Sequence, residues 1–168
     1  HARLPGLVHH VAAVLEVGGE PGGLAEAMLA FQGRWDLDLI KIMSSGVYCV
    51  EDWGCKVAYR GSPNGAKTCT QHAVRAVTDW AKLKPLDPGQ GALGRELEAL
   101  RLILAGRNDD VPVLHTVFAP LTVARKLAGD RLLGDPGLLR GCGWVHDEFD
   151  CIVRAARACV QLGYDHAM

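Results

Sequence analysis

What this chain of 168 residues lacks sets its limits first. No apolar run reaches the roughly 18 residues that a membrane-spanning helix needs, because Arg, Asp or Gly interrupts each one well short of it. Neither sign of charge predominates: 18 Lys and Arg stand against 19 Asp and Glu, a net charge of −1, and the isoelectric point is near 6.7. The basic footprint of a nucleic-acid or anionic-membrane binder is therefore missing, and no partner of either kind is expected. There is no initiator Met, and residues 1–17, HARLPGLVHHVAAVLEV, have no basic region leading to a small-residue cleavage site. The expectation is a chain that starts mid-sequence, not a targeting peptide. Gly18-Gly19-Glu20-Pro21-Gly22-Gly23 has neither the Lys-Ser/Thr of a phosphate loop nor a GxGxxG register, so it reads as a flexible connection. Cysteine is also sparse for a disulfide-stapled domain: the six residues at 49, 55, 69, 142, 151 and 159 are expected as reduced thiols in a cytoplasmic protein.

What is present points to an α/β chain. Its length suits one domain that buries roughly two-thirds of its unfolded surface. Val111 to Pro136, VPVLHTVFAPLTVARKLAGDRLLGDP, organises the rest. Its β-branched opening to Phe118 reads as a buried strand. A helix follows from Pro120, with Leu121, Val123, Ala124, Leu127 and Ala128 on one face and Gly129 as its stop. Upstream, Leu24, Ala27, Met28 and Phe31 recur at helical spacing, and Trp35 to Met43 reads as a second strand ending at Ser44-Ser45-Gly46. Val47 to Gly65 reads as a long loop, of the length that is usually functional or disordered. A short helical piece is expected from Val74 to Leu83, and an amphipathic helix from Ala92 to Leu104 with Leu93, Leu97, Leu100 and Leu104 as its stripe. Asp135-Pro136 opens a final helical region from Leu138 to Leu162, and Tyr164 to Met168 looks like the start of another strand. Strands separated by helices imply parallel βα units. Three or four such units are about half of an eight-unit barrel, which takes about 250 residues. Residues 1–168 thus read as a single partial domain.

Several motifs carry a resemblance. Asp36, Asp38, Ile40 and Lys41 are followed by Tyr48, Glu51, Asp52 and Gly54. Then come Asp79-Trp80-x-Lys82-Leu83, Leu97-Glu98-Ala99-Leu100 and, at 118–129, Phe-Ala-Pro-Leu-Thr-Val-Ala-Arg-Lys-Leu-Ala-Gly with Asp135-Pro136. In this order, over some 130 residues, the chain resembles the uroporphyrinogen decarboxylase superfamily. The resemblance implies a TIM (β/α)8 barrel of which this chain is about the first half, with the pocket at the C-terminal strand ends. It also implies a lyase that removes a carboxylate as CO₂ from an anionic tetrapyrrole-like substrate without an organic cofactor.

Two positions depart from the decarboxylases. Their catalytic aspartate, which stabilises positive charge as the carboxylate leaves, corresponds to Ser45 here. Their Pro-Trp-Thr-Leu segment reads Pro120-Leu121-Thr122-Val123, with Lys126 near the place of a functional tyrosine. The methyltransferase branch of the same superfamily is the alternative: it would bring a corrinoid protein as partner and zinc as cofactor. That zinc is held by a His-x-Cys pair and a distant Cys in the C-terminal half. This chain has no His-x-Cys pair, and its Cys69-x-x-His72 reads as ordinary loop residues, so no metal ligand is assigned. A third reading is a non-catalytic half-barrel whose open edge self-associates, a homodimer included.

The candidate catalytic residues are His115, Lys41 and Tyr48. His115 is either a proton donor at the barrel mouth or a packed core histidine; Lys41 either reaches the mouth or pairs with Asp36 or Asp38. Candidates for substrate binding are Ser45, Glu51, Asp52, Phe118 and Thr122, the two acids being otherwise a solvated loop pair. Arg125 and Lys126 either hold an anionic substrate near the helix start or form a solvated face, and the second reading is taken; Trp144, Phe149, Cys151 and Cys159 read as core.

Overall fold

The computed structural model describes residues 20–60, 67–108 and 111–142. Helix α1, Pro21–Trp35, starts on a proline whose fixed φ suits a first turn. It ends where Asp36 turns left-handed at φ 46° and its N–H donates to the Gln32 carbonyl. Leu24, Ala25 and Met28 are its buried face. The helix therefore runs further than the expected Leu24–Phe31, and Trp35, expected to open a strand, is its last residue.

Strand β1 is only Ile40–Lys41, not Trp35–Met43. After it come a short helix α2, Tyr48–Glu51, strand β2, Lys56–Tyr59, and strand β3, Lys67–Gln71. The long loop expected over Val47–Gly65 is thus corrected to a helical turn and the first arm of a hairpin. β2 and β3 pair antiparallel, Val57 opposite Cys69 and Tyr59 opposite Lys67, with a register shift between Lys56 and Val57. A 3₁₀ turn, Val77–Lys82, stands where a helical piece was expected. The Asp79 carboxylate accepts the Arg75 and Ala76 N–H groups at its start, each at 2.8 Å.

Helix α3, Gly91–Gly106, leads back to strand β4, Val113–Leu114. β1 and β4 are parallel, Ile40 opposite Val113 and Lys41 opposite Leu114, and the ladder continues as Ile42 N–H donates to the Leu114 carbonyl at 2.9 Å. This is a βαβ crossover, as the alternation of strands and helices implied. Only two residues of Val111–Phe118 are strand, so His115 lies just past its end. Helix α4, Pro120–Ala128, matches expectation at both ends: Gly129 stops it at φ 78°, its N–H donating to the Arg125 carbonyl at 2.7 Å. α5, Arg131–Gly134, and α6, Pro136–Gly141, follow, the latter capped by the Asp135 carboxylate, which accepts from Gly137 and Leu138 N–H. The rest of the expected final helix, the strand at Tyr164–Met168, the Gly61–Gly65 turn, the N-terminal stretch, Trp144, Phe149, Cys151 and Cys159 lie outside the described residues.

Two cores hold these elements. One packs α1 and α3 onto the parallel strands through Leu24, Met28, Ile40, Ile42, Leu97, Leu100, Ile103 and Val113. The other gathers α2, the 3₁₀ turn and α4 to α6 around Val50, Val74, Trp80, Val123, Leu127 and Leu132. Each such buried aliphatic contributes about 1.5–3 kcal/mol. Of the expected stripe positions, Leu104 is half-buried and packs against the first core, whereas Leu121 is 53% exposed. On the outer side of β1, Trp35, Leu37, Leu39 and Met43 are also exposed, the last three lining an apolar cavity of about 170 Å³.

Candidate functional site

The C-terminal ends of β1 and β4 open side by side, and the residues that follow them meet there. Tyr48, on α2, donates its hydroxyl to the Thr116 carbonyl at 2.8 Å and stands 3.4 Å from His115 Nε2. Which of the two donates in that contact follows the imidazole tautomer. His115 Nδ1 is buried and has no hydrogen-bond partner among the described residues. Burial, and secondarily the charge of Lys41, depress the His115 pKa to about 4. His115 is therefore a neutral imidazole at neutral pH.

Phe118 completes the group. Its ring lies 6.0 Å from that of Tyr48, and the Lys126 ammonium sits over its face, 4.5 Å from the centroid. Lys126 was expected on a solvated face; the structure turns it to the strand ends, beside Gly46. Sequence reasoning missed another member, Glu96 of α3. The Ser44 hydroxyl donates to its carboxylate, and burial is the main cause that pushes its pKa up.

The remaining expectations divide. Lys41 is exposed and makes no ion pair with Asp36 or Asp38, yet its charge reaches His115. Ser45 accepts the Val47 N–H at 3.4 Å, a local turn contact. Glu51 and Asp52 are neither free in the site nor simply solvated. Glu51 pairs with Arg95 at 2.9 Å, and Asp52 accepts the Ala92 N–H at 2.7 Å, so both acids fasten α2 to the start of α3. Thr122 is exposed on the first turn of α4. Arg125 holds Asp130 with two hydrogen bonds, at 2.8 and 2.6 Å.

A second group lies where the β2–β3 hairpin meets α4. Cys55, Cys69 and His72 each place a ligand atom within 4.8 Å of the other two. Cys69 is in β3 and half-buried, while His72, just past β3 and half-buried, and Cys55, just before β2 and buried, lie on connections, as the expected loop setting of Cys69-x-x-His72 has it for His72.

Comparison with known proteins follows the same outline. Residues 9–132 match the family described as uroporphyrinogen decarboxylase (URO-D). The chain is 26% identical over 123 residues to the methylcobamide:CoM methyltransferase MtbA of Methanosarcina acetivorans, covering 68% of this chain and 34% of that protein. Among solved structures it is similar to a methyltransferase from Methanosarcina mazei, with a TM-score of 0.70 and 21% identity, over 92% of this chain and 49% of that one. It thus spans about a third of the first relative and about half of the second. No helix among the described residues is long and apolar enough to cross a membrane.

Proposed function

The chain belongs to the uroporphyrinogen decarboxylase (URO-D) family, and from that premise we propose that it is the first half of a (β/α)8 barrel in a corrinoid-dependent methyltransferase. Such an enzyme moves a methyl group from a corrinoid protein to a thiol. The observation that carries the choice over decarboxylation is the strand end after β1. A decarboxylase of this family would need a carboxylate there, whereas Ser45 is spent on the Val47 N–H. A carboxyl near that turn, Glu96, accepts from the Ser44 hydroxyl, and burial raises its pKa from the ordinary carboxylate value. The likeness to two methyltransferases supports the same branch.

The residues at the strand ends suit this chemistry. A neutral His115 beside Tyr48 gives the mouth polar groups without charge, and its unpartnered Nδ1 is left for a polar group of a substrate. Lys126, held on Phe118, and the exposed Lys41 supply cations for an anionic thiol or corrinoid. The zinc of this branch turns a thiol into its thiolate. Its His-x-Cys donor pair is absent from these 168 residues, so no step through that metal is assigned to them.

The test uses protein expressed from the complete reading frame, mixed with methylcobalamin and coenzyme M. Transfer is followed as conversion of the methylated corrinoid absorbance to that of the demethylated form. Turnover of methylcobalamin with no CO₂ release from uroporphyrinogen is the expected result; CO₂ release without methyl transfer would overturn the reading.

A further inference from the structure

We propose that Cys55, Cys69 and His72 form a binding site for a zinc-class divalent cation that pins the β2–β3 hairpin to helix α4. The donor set is chemically apt: two sulfurs and an imidazole select a borderline-soft, tetrahedral metal over calcium or magnesium. The distances are also apt. In a tetrahedral zinc site, with metal–ligand bonds of about 2.0–2.3 Å, donor atoms stand about 3.5–3.8 Å apart. The three here already lie within 4.8 Å of one another, so closure asks for movement of about an ångström.

The surroundings behave as supports. The hairpin register brings Cys69 across from Val57, close to Cys55, which precedes β2. The Ala73 N–H donates to Cys55 Sγ at 3.4 Å, a contact that strengthens when the sulfur carries negative charge. Two contacts are given up on binding, because they need the thiol proton: Cys55 Sγ donates to the Lys126 carbonyl at 3.9 Å and Cys69 Sγ to the Gln71 carbonyl at 3.2 Å. His72 Nδ1 stands 3.0 Å from the Lys126 carbonyl. Backbone acceptors of this kind orient a ligating imidazole in metal sites. Gly129 makes room for the ring: a Cβ there would come 2.7 Å from His72 Nε2. His72 also lines a cleft with Thr70, Arg75 and Asp130. That cleft is the route by which water or another ligand would complete the coordination.

This site is separate from the strand-end group, with which it shares Lys126 alone. The Lys126 ammonium faces Phe118 while its carbonyl faces His72. On binding, each thiol gives up its proton to solvent and each sulfur donates an electron pair to the ion, with no change of oxidation state. The proposal does not depend on methyl transfer.

The experiment titrates the reduced, chelator-treated chain with Co²⁺ and then with Zn²⁺. One equivalent of Co²⁺ is expected to give sulfur-to-cobalt charge-transfer bands and tetrahedral d–d bands, which Zn²⁺ then displaces. Cys69→Ser is expected to lower the charge-transfer intensity. His72→Asn is expected to weaken binding at least about tenfold, as changes around metal ligands typically do. Because Cys55→Ser disturbs a buried position, Cys55 is read by alkylation of the unsubstituted chain. Zinc should protect Cys55 and Cys69 while Cys49 and Cys142 keep their rates. Absence of charge-transfer bands, titrations unchanged by both substitutions, or Cys55 and Cys69 joined in a disulfide that resists the reductant would each overturn the proposal.

Discussion

The Tyr48 hydroxyl donates to the Thr116 carbonyl at 2.8 Å, and this bond ties the helix after β1 to the chain leaving β4. Tyr48→Phe keeps the ring against Phe118 but leaves that carbonyl without its donor. An unmade bond at a part-buried acceptor costs about 1–2 kcal/mol. Urea denaturation of the variant should show a loss of that size, with an unchanged m-value. A midpoint equal to that of the unsubstituted chain would mean that water replaces the hydroxyl at no cost.

His115 makes stability depend on pH. Its folded pKa, about 4, lies below the ordinary 6.5, through burial first and Lys41 second. Between these values the unfolded chain holds a proton that the folded chain does not. Stability is therefore fully present above pH 6.5 and falls as pH drops toward 4, by on the order of 3 kcal/mol. Glu96, whose pKa is raised mainly by burial, acts in the opposite sense and offsets part of the fall. Comparing stability against pH for the unsubstituted chain and His115→Gln isolates the histidine. The variant should lack the fall, whereas parallel curves would mean that His115 titrates normally.

How much of this was legible in the sequence depended on where the signal lay. Helices α1, α3 and α4 announce themselves through apolar spacing, and the Pro120 and Gly129 ends of α4 follow from backbone chemistry alone. The strands were overdrawn, because a β-branched run such as Val111–Phe118 reports burial and stiffness, not ladder partners. Only two residues of each run pair. The hairpin was missed because KVAY is short and largely exposed and KTCTQ is half-exposed and mostly polar. Their alternation on either side of Gly61-Ser62-Pro63-Asn64-Gly65 was the available signal. Recognising it would have brought Cys55 to Cys69 and given the Cys69-x-x-His72 spacing a third donor. The roles of Glu51, Asp52 and Lys126 had no such signal, since they depend on α3 and Phe118 being tertiary neighbours.

Asp52 tests whether the acids after β1 are structural. Its carboxylate accepts the Ala92 N–H at 2.7 Å, where α3 has no side-chain cap of its own. Asp52→Ala should cost about 1 kcal/mol, as loss of a helix-start acceptor typically does. Denaturant midpoints measure it. In protein from the complete reading frame, methyl transfer per folded molecule should remain intact. A drop in activity well beyond the drop in folded fraction would return Asp52 to the list of substrate-binding residues.

The outer side of β1 decides whether this chain can stand alone. Leu37 and Leu39 are each 41% exposed, and Met43 40%, beside an apolar cavity lined in part by Met28 and Phe31. In a closed barrel another strand and helix would cover this side, whereas among the described residues the β1–β4 sheet has two strands. Uncovered apolar surface next to an open sheet edge favours association. Expressed by itself, the 168-residue chain should therefore elute larger than its 18.0 kDa monomer. Leu37→Asp combined with Leu39→Asp should shift it toward monomer, because two carboxylates placed in the contact must be desolvated for it to form. The same pair of substitutions in protein from the complete reading frame should destabilise the monomer, since there the surface would be intramolecular. Light scattering and denaturation on the two lengths measure both effects. A monomeric 168-residue chain would mean that its own residues already cover β1.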